Sequence, residues 1–205
     1  MLHLLLGDSI ANRAGLASRF PKDQVLNRAR GGETWRSLFD RVEDDIAVWQ
    51  VATTAMGKQR GEIIVWLTGN DVYSRLSRMS SFTAESLTAI GLLAEVLVKR
   101  LRSHTSSVLL LGPLPRLAGE VIGTTWEATA AYHLERTLLK AQLDPVARVL
   151  PLGRALTRKM GRKRHGLMGC NRWYQQDGIH LNRDGYEKVA DAGSFPVWLT
   201  LKPEA

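Results

Sequence analysis

The chain has 205 residues, 44% apolar and 23% charged, with one cysteine, Cys170, which fits a single globular domain over 1–205 and excludes disulfide-framework, collagen-like and largely disordered proteins. No apolar run reaches the ~20 residues of a membrane span, and Met1 to Ser9 lacks the basic n-region and apolar length of a signal peptide, so a soluble intracellular protein is expected. The net charge of +8 is local: between Asp144 and Asp177 there is no acid but eight basic residues, and outside that segment acids and bases balance.

Leu2 to Leu6 is a short apolar run that stops at Gly-Asp-Ser, a buried strand ending in a turn. Gln24 to Arg28 reads as a second strand, closed by Gly31-Gly32. From Thr34 to Val51, Trp35, Leu38, Phe39, Val42, Ile46 and Trp49 recur at helical spacing with charges between them. Glu62 to Thr68 is β-branched and continuous, a strand buried on both faces. A long helix fits Thr83 to Ser103, and a strand fits Ser107 to Leu111 before Gly112-Pro113. Thr124 with Glu127 forms a capping-box pattern that opens a helix running to Leu143. Ala147 to Leu150 is a last short strand. The basic stretch, about Gly153 to Gln176, reads as an irregular loop, and a short helix follows Asn182. Alternating strands and helices imply right-handed crossovers, hence an α/β fold: a three-layer αβα sandwich on a five-stranded parallel, flavodoxin-like sheet.

Ligands of an open parallel sheet bind outside the carboxyl ends of its strands. The residues placed there are Ser9, the Gly31-Gly32 turn, Asn70 and the pair Asp177 and His180. A serine hydroxyl is a weak nucleophile until a base takes its proton, which makes His180 the candidate base and Asp177 its orienting acid. The oxyanion formed by attack on an ester needs preorganised donors, and the backbone N–H groups of Ser9 and Gly32 with the Asn70 amide supply three.

Each of these residues also has a structural reading. Ser9 suits a helix N-cap, Asn70-Asp71 a side-chain-stabilised turn, and Gly32 a turn needing positive φ. Asp177 and His180 suit a capping pair at the last helix. His3, His104, His133 and His165 stand in no motif and are expected to be structural or solvent-facing, and Cys170 to be an incidental buried thiol.

Gly7-Asp8-Ser9-Ile10, Gly31-Gly32-Glu33-Thr34, Thr68-Gly69-Asn70-Asp71 and Asp177-Gly178-Ile179-His180-Leu181-Asn182 resemble, in order and spacing, the four signature blocks of the SGNH (GDSL-type) hydrolases. The resemblance runs from about residue 3 to 193. Leu111 to Arg116 and His180 to Tyr186 are similar to the platelet-activating-factor acetylhydrolase type and its acetylesterase relatives. What the resemblance implies is a serine esterase for short-chain, acetyl-type esters, with nucleophile Ser9, oxyanion donors Gly32 and Asn70, and an Asp177–His180 pair. The chain departs from the pattern at Ile10, where leucine is usual, and in the basic stretch before Asp177.

That stretch carries Arg158, Lys159, Arg162, Lys163 and Arg164, with Trp173 and Tyr174 nearby, a combination of charge and stacking surface suited to phosphate on nucleic acid or anionic lipid. A second reading of the chain is accordingly an SGNH-fold module of a larger, retrotransposon-like protein that binds through this segment. A small ester is the expected partner of the first reading. Without a Gly-x-Ser-x-Gly elbow, Walker A, Gly-x-Gly-x-x-Gly, HExxH or paired CxxC pattern, neither metal nor organic cofactor is expected.

Overall fold

The computed structural model describes residues 1–14, 24–73, 82–119, 124–162, 164–167 and 169–192. Leu2–Gly7 forms β1, Ser9–Arg13 a short helix α1, and Val25–Asn27 β2. Trp35–Ala55 is α2, Arg60–Trp66 β3 and Ala84–Leu101 α3. Val108–Leu111 is β4, Ala130–Lys140 α4, Ala147–Leu150 β5 and Arg183–Ala192 α5. The five strands pair in parallel in the order β2-β1-β3-β4-β5, the doubly wound order of flavodoxin-like sheets.

Alternation along the central strands sorts the core into two layers. Leu2, Leu4, Leu6, Ile63, Val65, Val108 and Leu110 pack with α2, α3 and α4. Leu5, Ile64, Trp66, Leu109 and Leu111 point the other way, against α1, α5 and the turns holding Leu152, Leu156, Cys170 and Trp173. Because both faces are covered, the central strands are apolar without a break over residues 4–6, 63–66 and 108–111, which is why they read as runs.

The helix expected from Thr124 opens instead at Ala130 and ends at Lys140. Trp126–Ala128 is a 3-10 turn that carries Trp126 into the core, and the extended backbone of Thr129 separates it from α4. Thr129, fully buried, accepts a hydrogen bond from Tyr132 N–H at 3.0 Å and donates to Trp126 C=O at 2.8 Å, so it takes the capping role expected of Thr124. The α2 helix runs four residues beyond Val51, to Ala55, and α1 begins at Ser9 itself rather than after it.

The basic stretch is not an irregular loop. It holds a 3-10 turn at Gly153–Leu156, an antiparallel ribbon of β6 (Arg158–Lys159) and β7 (His165–Gly166), and a second 3-10 turn at Asn171–Trp173. Leu156, Cys170 and Trp173 anchor it to the core, while Arg158, Lys159, Arg162 and Arg164 are exposed. Lys163 lies outside the described residues. Among the described residues, no helix is long and apolar enough to cross a membrane.

Candidate active site

The sheet order reverses between β1 and β3, and an open parallel sheet forms its crevice at such a point. At the end of β1 the backbone turns sharply into α1. A side chain on Gly7 (φ +158°) would strike the Trp66 carbonyl and the Ala11 methyl, so only glycine lets the turn close against β3. Asp8 caps α1 by accepting from Ile10 N–H at 2.9 Å, so the capping role is not Ser9's. The other Asp8 oxygen accepts from the Thr68 N–H at 2.8 Å and hydroxyl at 2.6 Å, tying the end of β1 to the end of β3. Burial pushes the Asp8 carboxyl up, and these bonds with the nearby Arg116 charge oppose the shift.

The structure brings Ser9, His180 and Asp177 together. His180 Nδ1 lies 2.6 Å from Asp177 Oδ2, and its Nε2 lies 3.0 Å from Ser9 Oγ. A carboxylate only accepts, so Nδ1 carries the proton and Nε2 is left as the acceptor for the serine hydroxyl. The other Asp177 oxygen accepts from the N–H groups of Ile179 and His180, both at 2.9 Å. Burial alone would raise the Asp177 carboxyl, but the imidazole and the two N–H groups overcome it and hold it down at about 2. The last helix is capped by Asn182, whose side chain accepts from Gly185 N–H at 2.9 Å, so Asp177 and His180 are not its caps. Tyr186 on α5 donates to Ile10 C=O at 2.9 Å, which joins that helix to the serine turn.

Gly32 adopts φ +75°, so the turn has the positive φ that favours glycine. Asn70 Nδ2 donates to Glu33 C=O at 2.8 Å and Asn70 Oδ1 accepts from Arg116 at 2.8 Å. Gly32 and Asn70 both line a cavity of about 520 Å³, together with Arg30, Glu33, Ser37 and Arg41. Behind it Glu33 pairs with Arg41, and the fully buried Asp45 pairs with Arg41 and, at 2.8 Å, with Arg28.

Asp71 does more than the local turn expected of it. Its carboxylate accepts from Trp35 N–H at 3.1 Å, thirty-six residues away in sequence, and so fastens the start of α2 to the loop after β3. Burial raises it to about 6, against the pull of that bond. Sequence reasoning gave no role to Asp8 or Arg116. The signal for Arg116 is its place as the lone charge ending the apolar run Leu111 to Pro115.

The remaining histidines have structural partners. His3 accepts from Glu62 N–H, His104 bonds Gln50, His165 bonds Thr157, and His133 lies against Phe82 and Tyr132. Cys170 is buried. No group of three metal-ligating side chains converges among the described residues.

A family model described as GDSL-like Lipase/Acylhydrolase matches residues 3–192. The chain belongs to that family. The GDSL family acts on carboxylic esters, and the fold likeness agrees with the assignment. An acetylxylan esterase from Geobacillus stearothermophilus superposes with a TM-score of 0.57 at 16% identity, over 99% of this chain and 95% of that one. A Streptococcus pneumoniae protein, inferred to be a platelet activating factor, gives 0.62 at 18% identity, over 92% of this chain and 80% of that one. At such identities the likeness speaks for the SGNH-type fold alone. No curated protein sequence matches the chain significantly.

Proposed function

We propose that this GDSL-family hydrolase cleaves short-chain, acetyl-type esters through an acyl-enzyme intermediate on Ser9. The observation that carries the reading is the continuous relay from Asp177 Oδ2 through His180 to Ser9 Oγ, with contacts of 2.6 Å and 3.0 Å.

In the proposed cycle His180 Nε2 takes the hydroxyl proton as Ser9 Oγ attacks the ester carbonyl. Asp177, held ionised, stabilises the imidazolium. The oxyanion is received by the N–H groups of Ser9 and Gly32 and the Asn70 amide. The Ser9 N–H lies in the first turn of α1, where the backbone donors have no intrahelical partner. His180 then returns the proton to the leaving alcohol, and a water activated by the same nitrogen releases the acid. Two catalytic mutants of the Geobacillus stearothermophilus acetylxylan esterase carry alanine at a serine and at an aspartate, which agrees with these roles. An acetyl-sized acyl group is supported by the acetylhydrolase-like runs Leu111 to Arg116 and His180 to Tyr186.

The test is hydrolysis of p-nitrophenyl esters from acetate to octanoate, wild type beside Ser9→Ala. Turnover should be fastest on acetate and fall with chain length, and Ser9→Ala should lower kcat at least ~10⁴-fold. Wild-type rates in the variant would remove Ser9 as nucleophile. A rate that rises with chain length would remove the short-acyl assignment.

A further inference from the structure

Arg116 is the one lysine or arginine among the described residues that the fold buries, at 6% exposure. A buried cation is costly unless neighbours oppose it, and an apolar side chain of similar volume generally packs as well or better. Two observations show what this one is placed against. Its guanidinium donates to Asn70 Oδ1 at 2.8 Å and lies over the Tyr73 ring at 5.1 Å, while its Nε has no hydrogen-bond partner. Its backbone is held as well. Arg116 N–H donates to the Tyr73 hydroxyl at 3.3 Å, Tyr174 donates to Pro115 C=O at 2.6 Å, and Leu114 N–H donates to Thr68 C=O at 3.3 Å.

We propose that Arg116 is a positioning residue for the oxyanion site: it fixes which way the Asn70 amide faces and strengthens the N–H that the amide offers to substrate. The proposal rests on the reading in which Asn70 binds the oxyanion. A carboxamide has nearly the same shape in either orientation, so its partners decide which end is nitrogen. A guanidinium has only donors and must face Oδ1. The Glu33 carbonyl has only lone pairs and must face Nδ2, where it takes one of the two N–H groups. Both constraints select the same orientation, and the second N–H is the group left for the reacting carbonyl. It is in place before charge develops, the condition under which such donors accelerate a reaction most. The positive charge at Oδ1 also draws electron density from the amide and makes that N–H a better donor. Asp8 and Asp71 supply the opposing charge that keeps a cation tolerable there.

The experiment is a double-mutant cycle on p-nitrophenyl acetate with Asn70→Ala, Arg116→Met and the pair. Asn70→Ala should lower kcat roughly 100- to 1,000-fold. Arg116→Met should lower kcat roughly 10- to 100-fold with KM within about twofold, the usual scale for a residue that orients another. The double variant should be no slower than Asn70→Ala alone, because Arg116 acts through the amide. Arg116→Lys, which keeps a donor at the site, should recover part of the rate. If Arg116→Met does not fold, judged by its melting curve, Arg116→Lys takes its place in the cycle, with a loss of roughly 3- to 10-fold that vanishes on the Asn70→Ala background. A full-rate Asn70→Ala enzyme would remove the oxyanion reading itself. An impaired Asn70→Ala beside an unimpaired Arg116→Met, or losses that multiply in the double variant, would overturn the role of Arg116 alone.

Discussion

Three carboxylates around the crevice are treated differently by their surroundings. Asp177 receives an imidazole and two N–H groups and is held at about 2, whereas Asp71 is buried against one long-range N–H and rises to about 6. Asp8, fully buried, is also raised, by burial. For Asp71 the sign follows from proton counting. Its ordinary value is 3.8, so between that and about 6 the folded chain binds a proton that the unfolded chain does not. Its contribution to stability is therefore present at low pH and lost as pH rises through about 6. Asp71→Asn keeps an oxygen for Trp35 N–H but cannot titrate. Compared with that variant, the wild type should gain on the order of 2 kcal/mol between pH 7 and pH 4. Melting curves of the two proteins across that range check it, and parallel profiles would refute it. At this scale the sequence exposed the nucleophile candidate and its base, which sit in recognisable blocks. It concealed Asp8, Asp71 and Arg116, because their partners Thr68, Trp35 and Asn70 lie 60, 36 and 46 residues away.

Among the elements, the central parallel strands were legible because burial on both faces leaves each an unbroken apolar run, at residues 4–6, 63–66 and 108–111. Strand positions shifted by only a residue or two, as at Arg60–Trp66 against the expected Glu62 to Thr68. The start of α4 was misplaced because two threonines five residues apart both suit an N-cap, and the packing of Trp126 decides between them. Thr129→Ala removes both the bond to Tyr132 N–H and the one to Trp126 C=O, and should cost about 1–2 kcal/mol in urea denaturation. Thr124→Ala should stay within about 0.5 kcal/mol. Equal losses would restore the cap to Thr124. The ribbon of β6 and β7 was illegible for a different reason. Two-residue strands carry no period, and the apolar residues that anchor the segment are scattered among arginines and lysines.

For the whole molecule, the excess charge is carried on a structured segment anchored to the core by Leu156, Cys170 and Trp173. Arg158, Arg162 and Arg164 are exposed and make no ion pair among the described residues, so replacing all three with glutamine should leave denaturation midpoints nearly unchanged, within about 0.5 kcal/mol per site. The same variant tests the second reading of the sequence, in which this segment contacts nucleic acid. That reading requires a fluorescent single-stranded oligonucleotide to bind the wild type with steep salt dependence and the variant weakly, and no binding by the wild type, or equal binding by both, would remove it.

The bond between Ser9 and His180 joins positions 171 residues apart, across nearly all of the described chain. A ribosome adding about 5–20 residues per second takes roughly 10–35 s to travel from one to the other. The five strands of the sheet are completed within that interval, at Leu150, while Ser9 still lacks its partner His180. On the proposed reading a growing chain therefore carries an inert hydroxyl until His180 is synthesised, and a fragment cut short before Asp177 would hold all five strands but have nothing to awaken it.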